Sequence, residues 1–275
     1  MKRFILSADD FAMHGAIDIA IIDLIRKDRL SATSCLTLSP YWQQASKLID
    51  TEIKSKADIG LHLDFTHFPQ SIKKPLPLII AQSLYRGFSD IAIRRSIEKQ
   101  LTIFEDALGY GPDYVDGHQH VHQLPQIREL LLEILANRYQ KLPWIRISCP
   151  SLQDGFKASL IRILGAEEMR IAARSEGFRI SERLLGVYDF THGGLTFEKK
   201  LNRWLAYISK EGGQYKTAFM CHPAAGEMGK RAASHHDDPI FLARVNEYNL
   251  LGSNRFLDLI NRFGLKIEKG SNFLN

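Results

Sequence analysis

Two adjacent carboxylates, Asp9 and Asp10, end the first apolar run of this 275-residue chain. His62 and Asp64 end the third. The segment Asp116-Gly-His-Gln-His-Val-His carries His118, His120 and His122, and a late apolar run, Thr217 to Cys221, leads into His222-Pro223. Imidazole and carboxylate together are the donors of a divalent cation that keeps open positions for water and substrate. They are also the groups that move protons in hydrolysis. Each has a plainer use: paired aspartates cap helix N-termini, a lone histidine such as His62 is often a core residue, and His222 before proline can cap a sheet edge. The triple-histidine segment is the hardest to explain by packing alone. If it is extended, its three rings share one side and span about 13 Å. Metal–nitrogen bonds are about 2.0–2.1 Å, so one histidine of the three would be the ligand, with the others near substrate or behind the site.

The elements that would position these groups are short apolar runs alternating with amphipathic ones. Strands are expected at Phe4–Ala8, Ser34–Leu38, Ile59–Phe65, from Asp113 toward His122, and at Trp144–Ser148, Val187–Thr191, Thr217–Cys221 and Leu265–Lys269. Helices are expected at Ile17–Ile25, Tyr41–Ile53, Ile91–Leu108 (with Gly109 as C-cap), Gln126–Tyr139, Phe197–Ser209 and Arg244–Phe263. His67 to Pro77 reads as a loop, and Gln153 to Arg183 as helical pieces with weak periodicity. Alternating strands and helices predict parallel βαβ units, and a single α/β domain over residues 1–275, a TIM-barrel-like (β/α) barrel. Buried parallel strands should be continuously apolar, yet polar residues collect where four strands end. That is the face on which such barrels build active sites.

Composition fits this reading. The chain is 45% hydrophobic and 24% charged with net charge +5, ordinary for a globular protein. Its basic residues are spread along helices rather than interleaved with aromatics, so no nucleic-acid partner is expected. No run of 18 apolar residues predicts a membrane span. Three cysteines without paired spacing argue against a disulfide framework, and two aspartates interrupt the first apolar stretch, so a cytoplasmic protein is expected.

Four motifs, Ser-Ala-Asp-Asp-Phe (7–11), Gly-Leu-His-Leu (60–63), Asp-Gly-His-Gln-His-Val-His (116–122) and Cys-His-Pro-Ala (221–224), together resemble the YdjC/ChbG-like carbohydrate deacetylases, a family that includes chitooligosaccharide deacetylase and a hopanoid-associated branch. Asp238-Pro-Ile with Arg244 and Glu247 resembles the family's C-terminal helix. The resemblance implies a (β/α) barrel related to polysaccharide deacetylases, and a homodimer. It also implies a metal-dependent hydrolase that removes an N-acetyl group from a sugar or sugar conjugate. Carried over position by position, Asp10, His62 and His118 would bind a divalent metal such as Mg²⁺ or Zn²⁺ (Mn²⁺ also fits the donors). Asp9 would be the base acting on a metal-activated water, His222 the late acid, and His120 and His122 would line the pocket. Arg146 would either orient Asp9 or pair on the barrel rim. One departure stands out: family members usually continue Ala-Asp-Asp-Phe with Gly, and here the residue is Ala12. The competing readings are another metal-dependent hydrolase on the same barrel, such as a phosphoesterase, and a non-catalytic metal- or sugar-binding barrel. A phosphoesterase would want a cationic cluster or glycine-rich loop beside the site, and Gly193-Gly194 beside His192 brings no Lys or Arg. A structural metal would want a fourth protein ligand.

Overall fold

A computed structural model describes residues 1–69, 72–150, 156–190, 194–210, 216–226 and 238–274. Its strands are β1 (Lys2–Phe11), β2 (Ala32–Cys35), β3 (Asp58–Leu63), β4 (Tyr114–Gly117), β5 (Trp144–Arg146), β6 (Ile180–Ser181), β7 (Arg183–Leu185), β8 (Thr217–Cys221) and β9 (Leu265–Ile267). The helices before the middle of the chain are α1 (Gly15–Arg26), α2 (Trp42–Ala45), α3 (Thr51–Lys56), α4 (Leu76–Leu84), α5 (Asp90–Leu108) and α6 (Ile127–Arg138). After it come α7 (Phe156–Ile163), α8 (Ala166–Ser175), α9 (Gly194–Lys210), α10 (Phe241–Leu251), α11 (Asn254–Arg262) and α12 (Gly270–Phe273).

The sheet is parallel in the order β6-β5-β4-β3-β2-β1-β8-β7, with β9 paired to β1 outside that path. Only Glu182 separates β6 from β7. The single run 180–185 therefore pairs with β5 through its first half and with β8 through its second, and the barrel comes round on itself there. This is the expected α/β barrel.

Strand periodicity sorts the side chains into two layers. Phe4, Leu6 and Ala8 of β1, Ile59, Leu61 and Leu63 of β3, Val115, Ile145 and Phe219 join the apolar layer shared with the helices. Their alternates Ile5, Ala32, Tyr114, Trp144, Leu184, Ala218 and Met220 form a second cluster inside the ring. Tyr114 stacks on Trp144 with centroids 4.3 Å apart and planes 9° from parallel. Room for that pair comes from Gly60, where a Cβ would lie 2.4 Å from the Tyr114 ring. The inward series of β1, β3, β4 and β5 continues from this apolar floor to Asp9, His62, Asp116 and Arg146, all at most 2% exposed. Inward register is thus what gathers the polar residues.

Several expected elements differ. The triple-histidine segment is not extended: β4 stops at Gly117 and residues His118–Gln123 form a 3-10 turn, with Gln119 and His120 at φ 54° and 62°. The expected helix over Tyr41–Ile53 breaks into α2, a 3-10 turn at Ser46–Leu48 and α3, which starts from an Asp50 cap bonded to the Ile53 N–H. The stretch Arg244–Phe263, read as largely helical, is two helices joined near Gly252. The apolar run Leu76–Leu84, part of a stretch read as loop at its start, is helix α4 with proline at its first turn, where the missing N–H costs nothing. No strand forms over Val187–Phe190, while Thr191, His192 and Gly193 lie outside the described residues, as do 153–155 of the weakly periodic region. No helix among the described residues is long and apolar enough to cross a membrane.

Candidate active site

The two aspartates face the same cavity because β1 bulges. Strict alternation would turn Asp10 away from Asp9, but the pairing register with β2 shifts between Ala8 and Phe11 and Asp10 sits at φ 69°. Ala12, at φ 72°, makes the turn for which the family pattern has glycine. Its N–H donates to Asp18 Oδ1 of α1 at 2.6 Å, and that bond helps hold a conformation that L-residues avoid. Burial pushes the Asp18 carboxyl up to about 6, although the Ala12 N–H and His14 pull the other way.

Asp10 Oδ1 is the convergence point. It lies 3.0 Å from His118 Nδ1 and 3.4 Å from His62 Nε2, while Oδ2 accepts from Arg244 at 2.7 Å. One donor atom from each of Asp10, His62 and His118 lies within 4.8 Å of the others. The far nitrogen of His62 faces Asp116 Oδ1 at 2.6 Å, and Ser34 Oγ touches both His62 and Asp116 at 3.1 Å. A carboxylate behind a histidine is the arrangement that aims a metal-binding imidazole. Burial opposes charge on His62, but Asp116 and then Asp10 outweigh it and push the ring up to about 10. Burial likewise opposes charge on Asp10, and Arg244 followed by His118 holds its carboxyl well below the usual carboxylate range. Without a cation, a proton on His62 supplies the positive charge this cluster needs; a bound cation would replace it. Geometry and donor chemistry both fit a divalent ion. A second converging group, Asp9, His62 and Asp116, fits less well, because Arg146 already fills both carboxylates.

Arg146, fully buried, donates to Asp9 Oδ1 at 2.5 Å and Oδ2 at 2.6 Å, and its Nη2 lies 2.8 Å from Asp116. Of the two roles open to it in sequence, it takes the one that orients Asp9. His222 Nε2 stands 4.0 Å from Asp9 Oδ2. Burial holds His222 down at about 4, so the resting ring is the neutral imidazole. Its Nδ1 has no partner among the described residues. The three motif histidines separate: His118 joins Asp10, His120 Nδ1 lies 2.9 Å from Ser148 Oγ, and His122 is buried with Nε2 2.8 Å from the Arg146 carbonyl oxygen. Burial holds His122 down at about 4, so its Nε2–H donates to that carbonyl. His118 and His120 line the cavity, whereas His122 lies behind it.

Helix α10 supplies two groups whose roles the sequence left unassigned. Arg244 bridges Asp10 and Asp238. Glu247 accepts from the His222 backbone N–H and from Tyr188 Oη, both at 2.5 Å, and burial pushes its carboxyl up to about 7. The available signal was two opposite charges three residues apart, at positions 244 and 247, which share one face of a helix. Asp9, Asp10, His62, His118, His222 and Arg244 line a cavity of about 550 Å³.

A family profile described as YdjC-like protein matches residues 3–262. A carbohydrate deacetylase of Mus musculus is 27% identical over 51% of this chain and 50% of its own length. A chitooligosaccharide deacetylase of Citrobacter koseri is 24% identical over 81% of this chain and 82% of its own. The chain thus spans about half the length of the vertebrate relatives it matches and most of some bacterial ones. A crystal structure from Enterococcus faecalis V583, named for cellobiose-phosphate cleavage, superposes with a TM-score of 0.73 at 20% identity, covering 98% of each chain. That likeness establishes the fold.

Proposed function

The chain belongs to the YdjC-like family, and from that premise we propose that it is a metal-dependent carbohydrate N-deacetylase. The observation that carries the reading is the convergence of Asp10, His62 and His118 at a cavity that Asp9 and His222 share. Relatives named as carbohydrate deacetylases support it.

A divalent cation on those three ligands would supply an acidified water and a polarised acetyl oxygen. Asp9 is the base. Its carboxylate is fixed by two bonds from Arg146, so it needs no reorganisation to take the water's proton. His222 Nε2, 4.0 Å from Asp9 Oδ2, offers that proton a short route onward to the departing amine nitrogen. Burial makes its imidazolium a strong acid, as a late proton donor should be. Arg244 Nη1, buried and without a partner among the described residues, can meet the charge growing on the acetyl oxygen.

The two arginines at the site each hold two carboxylates. Neither is left as a bidentate phosphate clamp, which disfavours a phosphoesterase. The metal's identity, with Mg²⁺ and Zn²⁺ as the leading choices, and a homodimeric, cytoplasmic setting belong to the same reading.

The test is acetate release from a panel of N-acetylated sugars, before and after chelation, with metal analysis of each sample. Acetate that disappears on chelation and returns with a divalent ion is the expected result. Release that is indifferent to chelation would overturn the metal dependence, and metal bound with no release from any sugar would overturn the activity.

A further inference from the structure

Strand β8 delivers His222 to the site but does not hold it there. Its ladder with β1 ends at Ala8–Cys221 and its ladder with β7 at Leu185–Phe219, so the His222 N–H lies past the last strand partner. Pro223 has no N–H of its own and restricts the residue before it. The next two donors, Ala224 N–H and Ala225 N–H, go to the carbonyls of Arg244 and Ala16. What holds the His222 N–H is a side chain, the Glu247 carboxylate of α10, at 2.5 Å.

Both oxygens of Glu247 are engaged. The second accepts from Tyr188 Oη at 2.5 Å, which stops the carboxyl from turning. Tyr188 is packed in its turn against Phe197 and Trp204, with ring centroids 5.7 and 6.1 Å away. Two residues on, Phe190 at φ 58° sets its ring edge-on to His222, with centroids 5.2 Å apart and planes at 89°. Glu247 is 1% exposed, and burial pushes its carboxyl up to about 7 against the pull of its two donors and Arg244. A buried carboxylate is costly, and a leucine of similar volume would pack there without that cost. What the carboxylate contributes is its two bonds.

His222 needs such an anchor. A general acid works only within hydrogen-bond reach of the atom it protonates. The ring does not fix itself: its Nδ1 has no partner among the described residues, and Nε2 stands 4.0 Å from Asp9 Oδ2. We infer that Glu247 is the positioning residue for the acid step: its carboxylate, locked by Tyr188, fixes the backbone from which His222 is aimed at the departing amine. As the C–N bond breaks, its electron pair goes to nitrogen. The proton that Asp9 took from water reaches that nitrogen from His222 Nε2, and acetate, the amine and neutral imidazole remain. This rests on the deacetylase reading above and adds the group on which its last proton transfer depends.

The experiment uses the full chain loaded with Mg²⁺ or Zn²⁺ and two substrates. N,N′-diacetylchitobiose releases an amine, which must be protonated to leave, whereas 4-nitrophenyl acetate releases a nitrophenolate, which needs no proton. Glu247→Leu should lower kcat on the disaccharide roughly 10–100-fold, with KM and metal content little changed, and kcat on the ester at most severalfold. Glu247→Gln, which can still accept from the His222 N–H, should recover most of that loss. Tyr188→Phe removes only the hydroxyl and should show the same selectivity at about 3–10-fold, the effect of one hydrogen bond; it serves if the leucine variant does not fold. Equal losses on the two substrates, or a folded Glu247→Leu with no loss on the disaccharide, would overturn the inference and leave the deacetylase reading standing. No acetate from the disaccharide with the unmodified protein would count against that reading instead, and amide hydrogen exchange then decides the inference alone. The His222 amide should exchange roughly tenfold faster or more in Glu247→Leu than in the unmodified chain or Glu247→Gln. Equal exchange in all three would overturn it.

Discussion

Asp9 and Asp10 are neighbours in sequence with different surroundings: one is clamped by Arg146, the other shared by two histidines and Arg244. That division was legible in the motifs only through resemblance, since composition and spacing give two identical carboxylates. The candidate ligands and base were readable as residue types at strand ends. Their supports were not, because Ser34, Arg244 and Glu247 reach the site from other strands and helices. Asp18 was equally hidden, as a carboxylate inside an apolar helix face that proves to hold the turn at Ala12. Its ionised form is costly here because burial pushes its carboxyl up to about 6. Below about pH 4 it is protonated in folded and unfolded chains alike and carries no penalty. Between about 4 and 6 only the unfolded chain ionises it, so stability drains away as pH rises. Above 6 the full penalty, on the order of 3 kcal/mol, is in place. Asp18→Asn keeps an acceptor for the Ala12 N–H. It should therefore gain about 1–3 kcal/mol in urea unfolding at pH 7.5 and nothing at pH 3.5. An equal difference at both pH values would refute this account of Asp18.

At the scale of elements, the alternation of short apolar runs with amphipathic ones was the reliable signal, and departures from regular structure were the blind spot. The β1 bulge, Ala12 at φ 72° and the 3-10 turn over His118–Gln123 all use left-handed residues that are not glycine, at a cost of about 1–2 kcal/mol each. Asp10, Ala12, Gln119 and His120 carry no sequence marker for such backbone, so the histidine run read as a strand. The one marker present is Gly117. There a Cβ would meet the His122 backbone nitrogen and Nδ1, both at 2.9 Å. The chain can fold back and place His118 opposite Asp10 only because that Cβ is missing. Gly117→Ala should displace the turn and weaken divalent-metal affinity by about 10–100-fold, the usual loss when a ligand's support is disturbed. Circular dichroism should still show the barrel. Unchanged affinity in a folded variant would mean that the turn does not position His118.

The whole molecule makes sense of where these groups gather. A barrel with Tyr114 and Trp144 stacked inside it gathers Asp9, His62, Asp116 and Arg146 in its last inward layer. Function is carried there while the floor and the outer helical layer carry stability. The fold class followed from alternating runs, but the barrel's closure through one run split at Glu182 did not, since two- and three-residue ladders leave no periodicity to read. Helix α4 was missed for a related reason: the prolines at 75 and 77 put its start in a stretch read as loop, and the rest of its nine residues was assigned to no element. The central claim is a division of labour, in which Asp10, His62 and His118 hold the metal and Asp9 works on the water beside it. Metal stoichiometry measured together with turnover in Asp9→Asn and His118→Ala tests it most directly. The account predicts that Asp9→Asn keeps its metal while turnover falls about 10²–10⁴-fold, and that His118→Ala loses metal first. Loss of metal from Asp9→Asn, or full metal content in His118→Ala, would contradict it.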